Sequence, residues 1–156
     1  DVCSTGYSFR PQRGGKMKIL FVCKQNRFRS QIAEQFFKKY NKNKKISAQS
    51  GGLIRGSYPL YEPEVNTVKL FGINIDKVPE SISVDLIKKK IDLVVITAWD
   101  IPKDIFMIDG KYWQKVIKWE IKDDYTGNIE NIKRIIGEIE VNIKNLIKEL
   151  DEENDN

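Results

Sequence analysis

The sequence predicts an α/β domain of three layers, with an open parallel sheet of about four strands and helices on both faces. Three observations predict it. The apolar run Ile19 to Val22 is followed, after a short polar stretch, by residues of helical period at Ile32, Ala33, Phe36 and Phe37. Ile91 to Thr97 is the most apolar run in the chain, and its β-branched continuity marks a strand buried on both faces. Strand-like and helix-like segments alternate throughout, as parallel βαβ units require.

Taken in order, residues 1–16 have no period and are rich in turn formers. They read as a flexible leader of added sequence, ahead of a natural start at Met17. The first strand, Ile19 to Val22, ends at Cys23, and a helix should run from Ser30 to Tyr40 into the Asn41-to-Lys45 cluster. Ile46 to Gln49 is a short second strand, turning at Ser50-Gly51-Gly52. Leu53 to Pro63 reads as a loop, and its Tyr58 and Tyr61 are either rim residues or ordinary exposed tyrosines. Helices are expected over Glu64 to Phe71, ended by Gly72, and over Val84 to Lys90. After the Ile91 strand come a turn and short helix between Trp99 and Phe106, opened by Pro102, and a last strand from Gln114 to Trp119. A long C-terminal helix follows, with Ile129, Ile132, Ile136, Ile139, Ile143 and Leu146 on one face. The domain therefore spans 17–150, and 151–156 form an acidic tail.

Composition narrows the chemistry. At 156 residues the chain suits one domain with a full core, and no run approaches the roughly 18 apolar residues of a membrane span. There is no histidine, which removes Ser-His-Asp and Cys-His catalysis and the common histidine zinc sites. Two cysteines in unlike contexts, Cys3 in the leader and Cys23 at a strand end, make no disulfide framework, and a reducing cytoplasm is the expected location. The net charge of +5 favours anionic ligands. The lysines are spread along the chain, so they read as a solvated surface and not as a nucleic-acid footprint.

The informative stretch is Cys23-Lys24-Gln25-Asn26-Arg27-Phe28-Arg29-Ser30, between the first strand and first helix. Such a loop aims backbone N–H groups at one spot before a helix N-terminus, where an anion is stabilised by unpaired donors and the helix dipole. The same positive end, with Arg29, favours the thiolate of Cys23, which is the nucleophilic form. Arg29 offers a planar fork matched to two oxyanion oxygens, and the Ser30 hydroxyl can donate to the sulfur. The bland alternative, an inert thiol closing a strand, leaves the Arg29-Ser30 exit and the spacing without a reason.

These residues, with Ala33 and Glu34, resemble the C-x5-R-S loop of the low-molecular-weight protein tyrosine phosphatases, whose fold is shared by arsenate reductases. The family pattern V-C-x-G-N-x-C-R-S-P-x-A-E is matched at Cys23, Asn26, Arg29, Ser30, Ala33 and Glu34. It is missed at Gln25 (glycine), Phe28 (a frequent second cysteine) and Gln31 (proline). A glycine position filled by a residue with a Cβ implies strain in the loop. The resemblance implies a flavodoxin-like fold, Cys23 and Arg29 as catalytic residues, and an oxyanion held by Lys24, Gln25, Asn26, Arg27, Phe28 and Ser30. Ser50, in a segment similar to the family's S-A-G, would brace the loop, unless it is a simple turn residue. Leu70 to Ile75 is similar to the family's ending of the helix before it.

Trp119-Glu120-Ile121-Lys122-Asp123-Asp124-Tyr125 resembles the family's W-x-(V/I)-x-D-P-Y segment, with Asp124 in place of the proline. The general acid then falls on Asp123, and Tyr125 forms a wall of the cleft. Asp123-Asp124 could equally cap the last helix. The implied activity is hydrolysis of phosphotyrosine or a similar aryl phosphomonoester through a cysteinyl-phosphate, with no metal or cofactor. The expected partners are a phosphotyrosine protein or small aryl phosphate, with no nucleic acid and no membrane. Two alternatives stay open: an arsenate reductase using an external thiol, since no cysteine follows Cys23, and a decayed phosphate-binding module. A phosphocarrier of similar architecture would lack Arg29.

Overall fold

The computed structural model describes residues 15–56, 60–106, 113–123 and 126–154. Four parallel strands form one sheet: β1 (Met17–Cys23), β2 (Ile46–Gly52), β3 (Ile91–Ile96) and β4 (Trp113–Lys118), in the order β2-β1-β3-β4. The helices are α1 (Arg29–Tyr40), α2 (Glu62–Leu70), α3 (Val84–Lys88) and α4 (Ile129–Asn154), with a 3-10 turn at Lys103–Phe106. The predicted architecture is the one observed.

Alternation along β1 builds both outer layers. Met17, Ile19 and Phe21 join a cluster with Ile32, Phe36 and Phe37 of α1 and the α4 residues Ile132, Ile135, Ile136, Ile139, Ile143, Leu146 and Leu150. Leu20, Val22 and Cys23 join the opposite cluster with Val94, Ile96, Ile101 and Phe106, against which Leu86 of α3 packs. Every residue of β3 is buried, as its continuous apolar run requires. The order reverses at β1, whose neighbours β2 and β3 are reached by connections running in opposite directions. Cys23 ends β1 at this switch point, outside which open sheets of this kind bind ligands.

Several boundaries differ from the sequence reading for physical reasons. β2 continues through Gly52, because the parallel register carries Phe21, Val22 and Cys23 opposite Ser50, Gly51 and Gly52. Ser50 is thus a strand residue, not a turn. α2 begins at Glu62 and takes Pro63 into its first turn, where the missing N–H costs nothing. α3 stops at Lys88, and Lys90 has φ +59° before β3 starts. Ile129, expected on the buried face of the last helix, is 50% exposed at its first position, and the helix runs through residues 151–154. Tyr58, Asp124, Tyr125 and the leader to residue 14, with Cys3, lie outside the described residues.

Candidate active site

The loop between β1 and α1 closes around one sulfur. Cys23 is 3% exposed, and its Sγ accepts the backbone N–H of Asn26 at 3.2 Å and lies 3.0 Å from Ser30 Oγ. Asn26 makes the turn possible. It has φ +53°, a left-handed conformation that asparagine tolerates better than most residues with a Cβ. Its side-chain amide donates to Ser30 Oγ at 2.8 Å and to Ser50 Oγ at 2.9 Å, and its Oδ1 accepts the N–H of Glu80 at 2.9 Å. With the Ser30 oxygen already accepting from Asn26, its own hydrogen is left for the sulfur. The strain expected at Gln25 is absent, because among the described non-glycine residues only Asn26 and Lys90 have positive φ.

Beneath the loop the chain of donors continues to a buried carboxylate. Ser50 donates to Glu34 Oε1 at 2.5 Å, and Lys77 Nζ reaches the Ser50 carbonyl at 3.0 Å and Glu34 at 3.4 Å. Burial alone pushes the Glu34 carboxyl up, yet hydrogen bonds from Lys38 and Ser50 and the charges of Lys77 and Lys38 outweigh it and hold the group below its ordinary value. Gln31, standing where the family has proline, donates from Nε2 to the Asn26 carbonyl at 2.6 Å and to the Lys77 carbonyl at 3.0 Å. It ties the loop to the segment after α2, which a proline cannot do.

The segment after β2 lies against the loop backbone through Leu53 N–H to Cys23 O, Ile54 N–H to Lys24 O and Gly56 N–H to Gln25 O, at 3.2, 3.0 and 3.0 Å. A Cβ on Gly52 would stand 2.7 Å from the Asn26 nitrogen and 2.6 Å from the Ile54 oxygen. Only glycine allows that approach.

Arg29, the first residue of α1, is buried and points to the opposite wall. It donates from one terminal nitrogen to the Ile121 carbonyl at 3.0 Å, and the guanidinium lies 3.5 Å from an Asp123 oxygen and 3.6 Å from an Asp100 oxygen. The Trp99 N–H donates to the same Ile121 carbonyl, so the ends of β3 and β4 and the start of α1 meet there. Asp123 is 30% exposed, between that wall and solvent. Arg29, Asp123 and the Cys23 loop are thus brought to one end of the sheet.

Other predicted residues are placed differently. Phe28 turns its ring into the core, leaving only its backbone to the loop. Arg27 makes a two-point ion pair with Glu64 of α2, at 2.6 and 3.2 Å, and its guanidinium carbon lies 5.0 Å from the Tyr61 ring centre. It fastens the loop to α2. Lys24 is exposed and Gln25 half-buried. Sequence reading missed Lys77, Gln31 and Asp100. Nothing marks Lys77 among so many lysines, but Asp100 sits just past a strand's carboxyl end, where the fold puts its ligands.

The model of the family described as low molecular weight phosphotyrosine protein phosphatase matches residues 18–156. The chain belongs to that family. It is a phosphatase-like hydrolase by that membership, and solved structures agree. A protein tyrosine phosphatase from Entamoeba histolytica, crystallised with Hepes in its active site, is 25% identical with a TM-score of 0.76, covering 89% of this chain and 99% of its own. A low molecular weight protein tyrosine phosphatase from T. tengcongensis is 26% identical with a TM-score of 0.72, over 86% of this chain and 99% of its own. A thioredoxin-dependent arsenate reductase from Corynebacterium glutamicum is 26% identical with a TM-score of 0.63, over 87% of this chain and 62% of its own. No curated protein sequence matches. Among the described residues of this family member, no helix is long and apolar enough to cross a membrane.

Proposed function

We propose that the protein hydrolyses phosphotyrosine or a similar aryl phosphomonoester through a covalent cysteinyl-phosphate. The observation that carries this reading is the sulfur of Cys23 held between the Asn26 N–H and the Ser30 hydroxyl at the mouth of α1. Both groups direct a hydrogen toward the one sulfur. The first turn of α1 has no side-chain cap, which leaves its amides to an oxyanion at the loop centre.

In this mechanism the Cys23 thiolate attacks phosphorus and the bond from phosphorus to the aryl oxygen breaks. Asp123, protonated at that moment, gives its proton to the departing phenolate, a contribution of about 10²–10⁴ in rate. The resulting Asp123 carboxylate takes a proton from water as the water oxygen attacks the cysteinyl-phosphate, releasing phosphate and restoring the thiolate. Arg29 turns its fork to the phosphoryl oxygens. Lys24, Gln25, Asn26, Arg27 and Phe28 contribute backbone N–H groups, Ser50 braces Asn26, and Tyr125 walls the cleft. No metal takes part, and the reducing cytoplasm suits the working thiol.

Cys23→Ser should abolish p-nitrophenyl phosphate hydrolysis while inorganic phosphate still binds. Unchanged turnover would remove Cys23 as nucleophile. The similarity to an arsenate reductase supports a second reading, in which the same sulfur attacks arsenate. Because no cysteine follows Cys23, that chemistry needs an external thiol, and an arsenate assay with added thiol separates the two.

A further inference from the structure

Asp100 has no part in the mechanism above, yet it faces the site's arginine. It lies in the turn after β3, and its Oδ1 is buried without a hydrogen-bond partner among the described residues. The Arg29 nitrogen 3.6 Å away is within ion-pair range but already donates to the Ile121 carbonyl at 3.0 Å. Buried carboxylate oxygens ordinarily find a donor. This one acts on Arg29 through charge alone, and the Trp99 N–H bond to Ile121 keeps the turn in place to do so.

We propose that Asp100 is a positioning residue: a standing counter-ion that holds Arg29 toward the acid segment and weakens the site's grip on a free oxyanion. The inference rests on the reading of the Cys23 loop as an oxyanion site. A phosphate at Cys23 and the two carboxylates draw on the positive charge of one guanidinium, so each carboxylate beside Arg29 lowers what that charge offers the anion. Asp123 carries a proton for part of the cycle, whereas Asp100 has no proton to give or take in any step. Its negative charge opposes the bound dianion throughout, which favours release of the phosphate product.

The test is binding of inorganic phosphate to the full chain by titration calorimetry, for the parent, Asp100→Asn, Asp100→Ser and Asp100→Glu. The two neutral variants should bind phosphate tighter by about tenfold, the scale of removing one half-buried like charge, while Asp100→Glu stays near the parent. In aryl phosphate turnover the neutral variants should show a lower KM with no gain in kcat, a split that loosened packing does not produce. Equal or weaker phosphate binding by both neutral variants, with the parent binding, overturns the role of Asp100 and leaves the loop reading standing. No phosphate binding by any of the four overturns both.

Discussion

Two segments meet at the candidate site, and they are held in opposite ways. The Cys23 loop rests on a buried polar network running from Ser30 through Asn26 and Ser50 to Glu34 and Lys77. The Asp123 segment is held by apolar anchors, Trp119 at 2% and Ile121 at 1% exposure, and by the Ile121 carbonyl that receives Trp99 and Arg29. A polar network fixes directions, because each member must face its partner, and it fails as a unit when one member is removed. Apolar anchors fix a position while leaving the next residues freedom. Cys23, the proposed nucleophile, thus sits where geometry is over-determined, and Asp123, the proposed proton donor, is 30% exposed and sits two residues beyond an anchor.

This contrast predicts where damage should appear. After the loss of turnover expected for Cys23→Ser, the largest effect is expected from Asp123→Asn, which should slow aryl phosphates with poor leaving groups by about 10²–10⁴ and those with good ones far less, with the melting temperature unchanged. Equal slowing across a leaving-group series would move the acid to another residue. Asn26→Ala should lower stability and activity together. It removes three hydrogen bonds of a buried residue and asks alanine to hold φ +53°, a loss of about 2–3 kcal/mol in a denaturant titration. A variant with parent stability would show that the loop does not depend on the network.

The smallest effect concerns acid. The Glu34 carboxyl lies below its ordinary value when folded, so its contribution is present at neutral pH and is lost as pH falls through the folded value. Glu34→Gln should therefore flatten the acid limb of stability below about pH 4.5, the ordinary value of the group, and leave the alkaline limb alone. On the alkaline side, Tyr40 is held neutral beyond its ordinary value, first by its hydrogen bond to Glu140. That contribution is full below pH 10 and fades as the tyrosine ionises.

The fold and the loop were legible in the sequence to different depths. The apolar runs placed all four strands within a few residues, since burial of β1 and β3 on both faces leaves an unbroken hydrophobic signature. Strand ends were less visible. Ser50 to Gly52 look like a turn locally, and only pairing with β1 extends β2 through them. The departures from the family pattern also misled. Gln25 implied strain where the backbone has none, and the mismatch at Gln31 gave no sign that its amide reaches two carbonyls.

By itself, the sequence determined the layer order's raw material, the position of Cys23 at a strand end, and a Cys-to-Arg-Ser spacing that fits one turn before a helix, because these depend on residues adjacent in the chain. Tertiary structure alone decided that Lys77 props Ser50, that Gly52 lets two backbones touch, that Arg27 serves α2, and that Asp100 and Asp123 share Arg29. Those contacts join residues dozens of positions apart. Side-chain charge and hydrogen bonding act over a few ångströms, and only the folded sheet brings such groups that close.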